Sequence, residues 1–141
     1  MNPPARQKRL WIVCVQKSLQ ISPRKNYVLV CYERLEFIRK AKDAGFFIRF
    51  FFVCTEKPSI NVLRVTNRFL TGGHEVPISK IVTRYYKSLA NAAVAISIVD
   101  RAYIYDNSVD NQLPKLICRM VDGALYKQYA EILPNWVQEL L

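Results

Sequence analysis

Glycine is scarce in this chain of 141 residues, which has four glycines, at positions 45, 72, 73 and 123. Two of them are adjacent, but His74 follows that pair, so the sequence contains no loop of the type G-x-x-x-x-G-K-[ST]. A loop of this type holds the phosphates of a nucleotide with its backbone N–H groups. The sequence therefore lacks the most widespread phosphate-binding loop of nucleotide-hydrolysing proteins.

Potential metal ligands are also few and widely spaced. His74 is the only histidine, and Cys14, Cys31, Cys54 and Cys118 stand far apart, with no C-x-x-C pair. This spacing argues against a zinc site and favours the reduced thiols of a cytoplasmic protein. The pattern predicts that the cysteines are small core residues, most clearly for Cys54, which ends an apolar run.

Long apolar runs and acidic residues are also few. Phe50–Cys54 is among the longest apolar runs and is far shorter than the ~20 residues of a membrane-spanning helix. Leu10–Val15 is too short and too poorly flanked for a signal-peptide core. The chain has 21 Lys and Arg but only 11 Asp and Glu, and residues 1–32 carry six cations and no acid. A net charge of +10 is typical of proteins that bind nucleic acid, an anionic surface or phosphorylated small molecules.

The apolar periodicity predicts strands that alternate with helices, which indicates an α/β fold. The long run Phe46–Thr55 is predicted to be a central parallel strand, and Gly45 is predicted to cap the helix before it. In chain order, the predicted elements are strands at Leu10–Val15 and Asn26–Tyr32, a helix at Glu33–Ala44, the strand Phe46–Thr55, a helix from Pro58 to about Leu70, a long helix from Pro77, a strand at Ala102–Tyr105, a β-ribbon of Lys115–Val121 and Ala124–Tyr129, and a terminal helix from Pro134.

The two helices joined by Thr71-Gly72-Gly73 are predicted to be amphipathic, each with a separate cationic side. On the first helix, Arg64 and Arg68 lie one turn apart on the same side. The predicted inner positions are Val62, Val65 and Phe69 on the first helix and Ile78, Ile81, Tyr85, Leu89, Ala92 and Ile96 on the second. The second helix has a polar stripe with three cations and one amide, which consists of Lys80, Arg84, Lys87 and Asn91.

A family resemblance lies in the same part of the chain. GGHEVPISKIVTRYYKSLANA followed by DRAYIYDNS, together with the stretch Leu35–Arg68 before it, resembles the lid region and last core strand of the zeta-toxin-like P-loop kinases, in the branch described as predicted ABC-type ATPases. The resemblance extends over roughly Asn26 to Gly123 and leaves residues 1–25 as a basic segment unlike the family. It implies that residues 26–141 form a partial P-loop-kinase-like parallel sheet flanked by helices, with a helical lid at about 58–99 and a small C-terminal β-ribbon.

The resemblance also implies a function. It implies an ATP-dependent phosphotransferase of toxin–antitoxin type that acts on a nucleotide sugar or similar phosphorylated small molecule, with ATP and Mg²⁺ as cofactors. Positioned cations neutralise the transferred phosphoryl group, so Arg84, then Arg64 and Arg68, are the candidate catalytic residues. The candidate phosphate-binding residues are His74, Lys80 and Lys87, and the candidate nucleotide-binding residues are Asp106, Asn107 and Ser108, which follow a strand.

Each of these assignments has a structural alternative. The arginines also fit a solvated basic face, His74 also fits a helix cap, and Asp106–Ser108 fits a polar Asx-turn equally well. Asp100 and Arg101 are interpreted as a local ion pair of little energetic consequence.

Two parts that the family requires are absent from this sequence. One is the phosphate-binding loop, and the other is the upstream aspartate that serves as base for the acceptor hydroxyl. The strand Asn26–Tyr32 runs directly into the next helix, where the family has a Glu-Thr motif and a short loop. We therefore expect the carboxyl-terminal half of a truncated or degenerate kinase joined to an unrelated start, without catalytic competence of its own.

Two other hypotheses stay open. One is a non-catalytic basic module that binds nucleic acid or a protein partner. It is less favoured because Phe46, Phe47 and Phe50–Phe52 lie in core-like strands rather than alternating with exposed cations. The other is a degraded gene product without a selected activity. Half of a doubly wound domain exposes a sheet edge, which predicts homodimers or poor solubility.

Overall fold

The computed structural model describes residues 8–15, 27–29 and 35–141. These residues form an α/β fold in which a mixed, partly parallel sheet is flanked by helices. The strands are β1 (Arg9–Val15), β2 (Tyr27–Leu29), β3 (Phe47–Cys54), β4 (Arg101–Asp106), β5 (Lys115–Val121) and β6 (Ala124–Gln128), and the helices are α1 (Leu35–Asp43), α2 (Pro58–Leu70), α3 (Ile78–Ile98) and α4 (Asn135–Gln138).

The predicted elements are confirmed where the structure describes them, with bounds that agree to within two residues. Gly45 follows α1 with φ 82, in the left-handed region that a glycine cap adopts. The predicted strand Asn26–Tyr32 is described only over Tyr27–Leu29, where it pairs with β1. Residues 16–26, between these two strands, and Cys31 lie outside the described residues.

The strand order of the sheet is β2-β1-β3-β4-β5-β6. The first four strands are parallel to one another, and β5 and β6 add an antiparallel hairpin beside β4. Along the chain, β2 is placed on one side of β1 and β3 on the other. This reversal makes the carboxyl ends of β1 and β3 a topological switch point, where open α/β sheets bind their ligands.

The central strand β3 buries only one of its two faces fully. Ile48, Phe50 and Phe52 are at most 2% exposed, whereas Phe47, Arg49 and Phe51 of the same strand are half-buried. Successive side chains of a strand point to opposite faces, so one face of β3 lies in the core and the other is partly open. The continuous apolar run did not reveal this asymmetry.

The helices cover the buried face of the sheet. The inner side of α3 is buried at Tyr85, Leu89 and Ala92, as predicted, and belongs to the same apolar core as Ile38 of α1. At the carboxyl end of the chain, the Trp136 ring lies 6.3 Å from that of Phe52, so α4 packs on the same side. The core therefore lies between this side of the sheet and the helices.

The inner positions predicted near the tip of the helical hairpin are wrong. Phe69 at the end of α2 is 45% exposed, and Ile78 at the start of α3 is 61% exposed. On α2 the only buried side chain is that of Asn61, close to the sheet. The helix ends beside the Gly72-Gly73 turn extend beyond the core, so apolar side chains there have nothing to pack against.

The turn between α2 and α3 requires both of its glycines. Gly72 has φ 101, which side-chain-bearing residues rarely adopt. A Cβ on Gly73 would lie 2.8 Å from the carbonyl oxygen of Arg68. The same oxygen accepts the N–H of Gly73 at 2.8 Å, so the close approach of the two backbones forms the turn.

The predicted ion pair between Asp100 and Arg101 is wrong. The Asp100 carboxylate instead accepts the Lys42 ammonium of α1 and, at 2.7 Å, the backbone N–H of Ile48 in β3. The Arg101 guanidinium lies 5.5 Å from the centre of the Phe47 ring, on the opposite face of the sheet. Neighbouring residues at the start of a strand point in opposite directions, which separates the two charges.

None of the helices within the described ranges has the length and apolar character needed to cross a membrane.

Three cysteines confirm the prediction that they are core residues. Cys14, Cys54 and Cys118 are at most 8% exposed. Burial raises the pKa of Cys54 from 9.0 to about 12 and that of Cys118 from 9.0 to about 11. Both thiols therefore stay protonated in the folded protein at pH values where an unfolded chain loses these protons.

We expect the alkaline limit of stability to depend on these thiols. The unfolded chain releases each proton near pH 9.0 and the folded chain only near pH 11 to 12, so their stabilising effect is complete below pH 9.0 and is lost as the pH rises through that interval. Each thiol contributes at most about 1.4 kcal/mol per pH unit. In urea titrations over this range, Cys118→Ala is expected to reduce the pH dependence of the free energy of unfolding, and an unchanged slope would contradict the assignment.

Candidate functional site

The loops after β3 and β4 lie at the same edge of the sheet and are hydrogen-bonded to each other. The backbone N–H of Asn107 donates to the carbonyl oxygen of Cys54 at 2.8 Å. The backbone N–H of Glu56 donates to the hydroxyl oxygen of Ser108 at 2.8 Å. Because the two strands are parallel, their carboxyl ends coincide, and the loops form one layer above them.

Asp106 orients the second of these loops. One carboxylate oxygen accepts the backbone N–H of Ser108 at 2.9 Å, which confirms the Asx-turn that the sequence suggested as one alternative. The other oxygen accepts the indole N–H of Trp136 at 3.1 Å and so connects the loop to α4. Asn107, which lies between Asp106 and Ser108 in the chain, is 6% exposed. Asp106 therefore has at least a structural role, whatever the loop binds.

Thr55 is the point where both helices of the hairpin meet the sheet. Its side chain is 1% exposed, and its hydroxyl lies 3.2 Å from the side-chain oxygen of Asn61 in the first turn of α2. Its carbonyl oxygen accepts the Tyr85 hydroxyl of α3 at 2.8 Å. Burial raises the pKa of Tyr85 well above its usual value, so this hydroxyl keeps its proton.

The sequence did not single out Thr55 or Asn61. The available signal was a polar residue at the end of an apolar strand, followed six residues later by an amide in the first turn of the next helix. Neither residue stands out until the tertiary structure joins them. Tyr85 was predicted as a core residue, and its hydrogen bond to Thr55 is an additional finding.

Arg64 connects α2 to the loop after Ser108. Its Nε and Nη2 each lie 2.9 Å from the same carboxylate oxygen of Asp110. The Arg64 side chain is 15% exposed, whereas that of Asp110 is 76% exposed. The Nη1 atom of Arg64 is buried and has no hydrogen-bond partner in the described part of the chain. One donor group of a half-buried cation is therefore not satisfied by residues 8–15, 27–29 and 35–141.

Of the three candidate catalytic arginines, Arg64 contacts this edge through Asp110. Arg64 lies one helical turn after Asn61, and Arg84 directly precedes Tyr85, so both are close in the chain to a residue that contacts Thr55. Arg84 is half-buried. Arg68 is exposed and lies another turn away from the sheet, where its carbonyl oxygen belongs to the Gly72-Gly73 turn.

The three candidate phosphate-binding residues lie on the surface. His74 is exposed in the segment between α2 and α3, and Lys80 and Lys87 are exposed on α3. Lys87 follows Tyr85 by two residues, which places it about 200° around the helix, away from Thr55. The phosphate-binding roles of these three residues stay predictions.

The Mg²⁺ ion that the resemblance implies does not fit the described residues. Within them, no three side chains of His, Cys, Asp or Glu are grouped so as to hold a metal ion. Asp106, at the strand end where such a ligand is expected, directs its two oxygens to the N–H groups of Ser108 and Trp136.

Taken together, the edge has Arg64, a buried Thr-Asn-Tyr cluster, and an ordered Asp-Asn-Ser turn, and Arg84 directly precedes the tyrosine of that cluster. Its cations suit an anionic ligand, and its backbone is held in place by hydrogen bonds between the loops. No protein-family model, curated protein or solved structure gives a significant match to the chain.

Proposed function

We propose that the chain is the lid-bearing, carboxyl-terminal region of a zeta-toxin-like kinase of the nucleotide-sugar type. In this proposal it binds a nucleotide or another phosphorylated small molecule at the carboxyl edge of β3 and β4. The observation that supports it is the docking of Arg64 on Asp110. That contact holds an arginine of α2 beside the loop that begins with the candidate nucleotide-binding residues Asp106–Ser108.

The strand order also supports a ligand site at this edge. The strand order reverses between β1 and β3, and the carboxyl ends of strands at such a reversal are where open α/β sheets bind ligands; Thr55 directly follows β3 there. The positive end of the α2 dipole faces the same edge, because α2 begins at Pro58 and its first turn contacts Thr55. Both effects favour an anion, in keeping with the P-loop-kinase-like sheet that the resemblance implies.

Arg64 is the residue through which a phosphate group would be bound. Asp110 now occupies two donors of its guanidinium, and a phosphoryl group accepts hydrogen bonds from the same planar fork. Because the Asp110 side chain is mostly exposed, it is free to turn into solvent when a ligand replaces it. Arg84, on the neighbouring helix, supplies the second positive charge.

Phosphoryl transfer by the chain alone is not part of this proposal. The sequence contains neither the loop that holds the β-phosphate nor the aspartate that accepts the proton of the acceptor hydroxyl. Purified chain incubated with ATP and UDP-N-acetylglucosamine is expected to give no turnover. Turnover that disappears in Arg84→Ala would show that the chain is catalytically competent.

Calorimetric titration with ATP and with UDP-N-acetylglucosamine tests the binding site. Arg64→Ala or Arg84→Ala is expected to weaken binding at least about tenfold, since a charge-assisted hydrogen bond contributes about 1.5–3 kcal/mol. Asp110→Asn is expected to strengthen binding, because it removes the carboxylate that competes for Arg64. Arg39→Ala, an exposed arginine of α1, is the matched control and should leave the affinity unchanged. Equal affinities for Arg64→Ala and the original chain would rule out this site.

A further inference from the structure

One face of the sheet is not covered by the helices that the structure describes. It presents the half-buried side chains of β3 and β4 that alternate with the core residues, and Trp11 of β1, which is 43% exposed. Parallel sheets of α/β proteins are usually covered on both faces, so this surface calls for a partner. We call it the open face, and it consists of Trp11, Phe47, Arg49, Phe51, Arg101, Tyr103 and Arg119.

Strand register arranges these side chains in two neighbouring rows. In the first row, Trp11 of β1 lies opposite Arg49 of β3, which lies opposite Arg101 of β4. In the second row, Phe51 lies opposite Tyr103, which lies opposite Arg119 of β5. A row with two arginines therefore borders a row with two aromatic rings and an arginine.

The aromatic rings form a continuous surface across three strands. The centres of the Phe51 and Tyr103 rings are 4.8 Å apart and the rings are nearly parallel, with 9° between their planes. The Trp11 ring lies 5.9 Å from that of Phe51 on the other side. Trp11 is the most exposed of the three and lies at one end of this surface.

The cations of the open face are held by rings rather than by carboxylates. The Arg49 guanidinium lies 5.9 Å from the centres of the Trp11 and Phe47 rings, and that of Arg119 lies 4.4 Å from the Tyr126 ring. Among the described residues, no carboxylate lies within salt-bridge distance of Arg49, Arg101 or Arg119. The positive charge of this face is thus left for a partner to neutralise.

This arrangement corrects an expectation from the sequence. The aromatic residues of β3 were expected to lie in the core, apart from exposed cations. Only Phe50 and Phe52 do so, whereas Phe47 and Phe51 point to the other face, where they alternate with Arg49 and with the arginines of β4 and β5. On this face, therefore, part of the aromatic run lies outside the core, beside half-buried arginines.

We propose that the open face binds single-stranded nucleic acid. A base stacks on the exposed Trp11 ring, neighbouring bases contact the edges of the Phe51–Tyr103 ring stack, and the phosphates contact the arginines beside them. A duplex keeps its bases stacked on one another and cannot use the rings. This site is separate from the carboxyl edge and does not depend on the function proposed there.

Charge argues against two other occupants of this face. A second copy of the chain would bring two sets of arginines together, which is unfavourable without a carboxylate between them. Residues 1–7 and 16–26, which lie outside the described ranges, carry cations and no acid, and residues 30–34 combine Glu33 with Arg34, so none of these segments has the net negative charge that would complement the face. A polyanion with aromatic bases satisfies both the charge and the rings.

Tryptophan fluorescence offers a direct test, because the chain has two tryptophans. Trp136 is 3% exposed, so Trp136→Phe leaves Trp11 as the only reporter. Titration with oligo(dT) or oligo(U) is expected to quench Trp11. For three phosphate contacts the logarithm of the binding constant should fall against the logarithm of the salt concentration with a slope of about −2.

Single substitutions separate stacking from charge. Trp11→Ala is expected to weaken oligo(dT) binding roughly tenfold, measured by anisotropy of a labelled oligonucleotide. Arg49→Gln or Arg101→Gln should each reduce the magnitude of the salt slope by about 0.7. Lys40→Gln, an exposed cation of α1, is the charge-matched control and should leave the slope unchanged. Circular dichroism of each variant checks that the fold is retained.

Three outcomes would overturn the proposal. The first is duplex binding as tight as single-strand binding, and the second is an equal loss of affinity in Lys40→Gln and Arg49→Gln, since either indicates surface charge alone. The third is a dimer in sedimentation whose Trp11 emission changes with protein concentration in the absence of nucleic acid. Arg64→Ala should not alter oligo(dT) binding, and Arg49→Gln should not alter ATP binding, so the two proposed sites can fail independently.

Discussion

Replacing Phe52 by alanine is expected to lower the free energy of unfolding by about 3–5 kcal/mol. Phe52 is fully buried in the central strand β3, with its ring 6.1 Å from that of Phe50 and 6.3 Å from that of Trp136. The substitution leaves a cavity under α4 and loosens the tryptophan that donates to Asp106. Domains of this size are stable by about 5–15 kcal/mol, so urea titration should find the variant marginally folded.

The matched control is Phe51→Ala, the same change one residue earlier in the same strand. Phe51 is half-buried on the open face, where it stacks on Tyr103. Less apolar surface returns to water and less cavity forms, so its loss of stability should be no more than about half that of Phe52→Ala. Equal losses would mean that both faces of β3 are covered, which would also remove the basis for the nucleic-acid proposal.

Asp100→Ala is expected to cost about 2–3 kcal/mol. The substitution removes the acceptor of the Ile48 backbone N–H, and Ile48 is fully buried, so this donor loses its partner in the core. It also releases Lys42 of α1 from the end of β4. The free energy of unfolding from urea titration measures the effect, which a dispensable surface pair between Asp100 and Arg101 would not produce.

Asp100→Asn distinguishes the hydrogen bond from the ion pair. The amide oxygen can still accept the N–H of Ile48, while the charge opposite Lys42 is lost. Lys42 is 39% exposed, so solvent screens the pair and the expected cost is about 1 kcal/mol or less. If the asparagine variant is as unstable as the alanine variant, the charge is the stabilising feature and the backbone contact is not.

The secondary structure of this protein was largely predictable from local patterns. The periodicities of β3, α2 and α3, and the glycines at 45, 72 and 73, mark their elements because hydrogen bonding and side-chain direction within one segment depend on neighbouring residues. The same patterns predicted the β5–β6 ribbon and the α/β class. Errors arose at the tip of the helical hairpin, where an apolar stripe such as that of Phe69 continues past the core.

The partners of the candidate site were not predictable in the same way. Arg64 and Asp110 are 46 residues apart in the chain, and Tyr85 and Thr55 are 30 apart. Their contacts exist because β3 and β4 are parallel neighbours and because α2 and α3 return to the same strand end. Segment-level patterns contain no information about such contacts, so the arginines were recognised as cations but their surroundings were not.

Local order and charge follow from the amino-acid sequence: strands alternate with helices, cations outnumber acids, and the phosphate-binding loop is absent. The packing of the chain decided which side of β3 is covered and which arginines meet the carboxyl edge. The pattern of apolar residues along a strand indicates whether its two faces differ or are both apolar. Which of two apolar faces becomes buried depends on where distant helices pack. In this protein that choice directs Phe52 into the core and Phe51 to the open face.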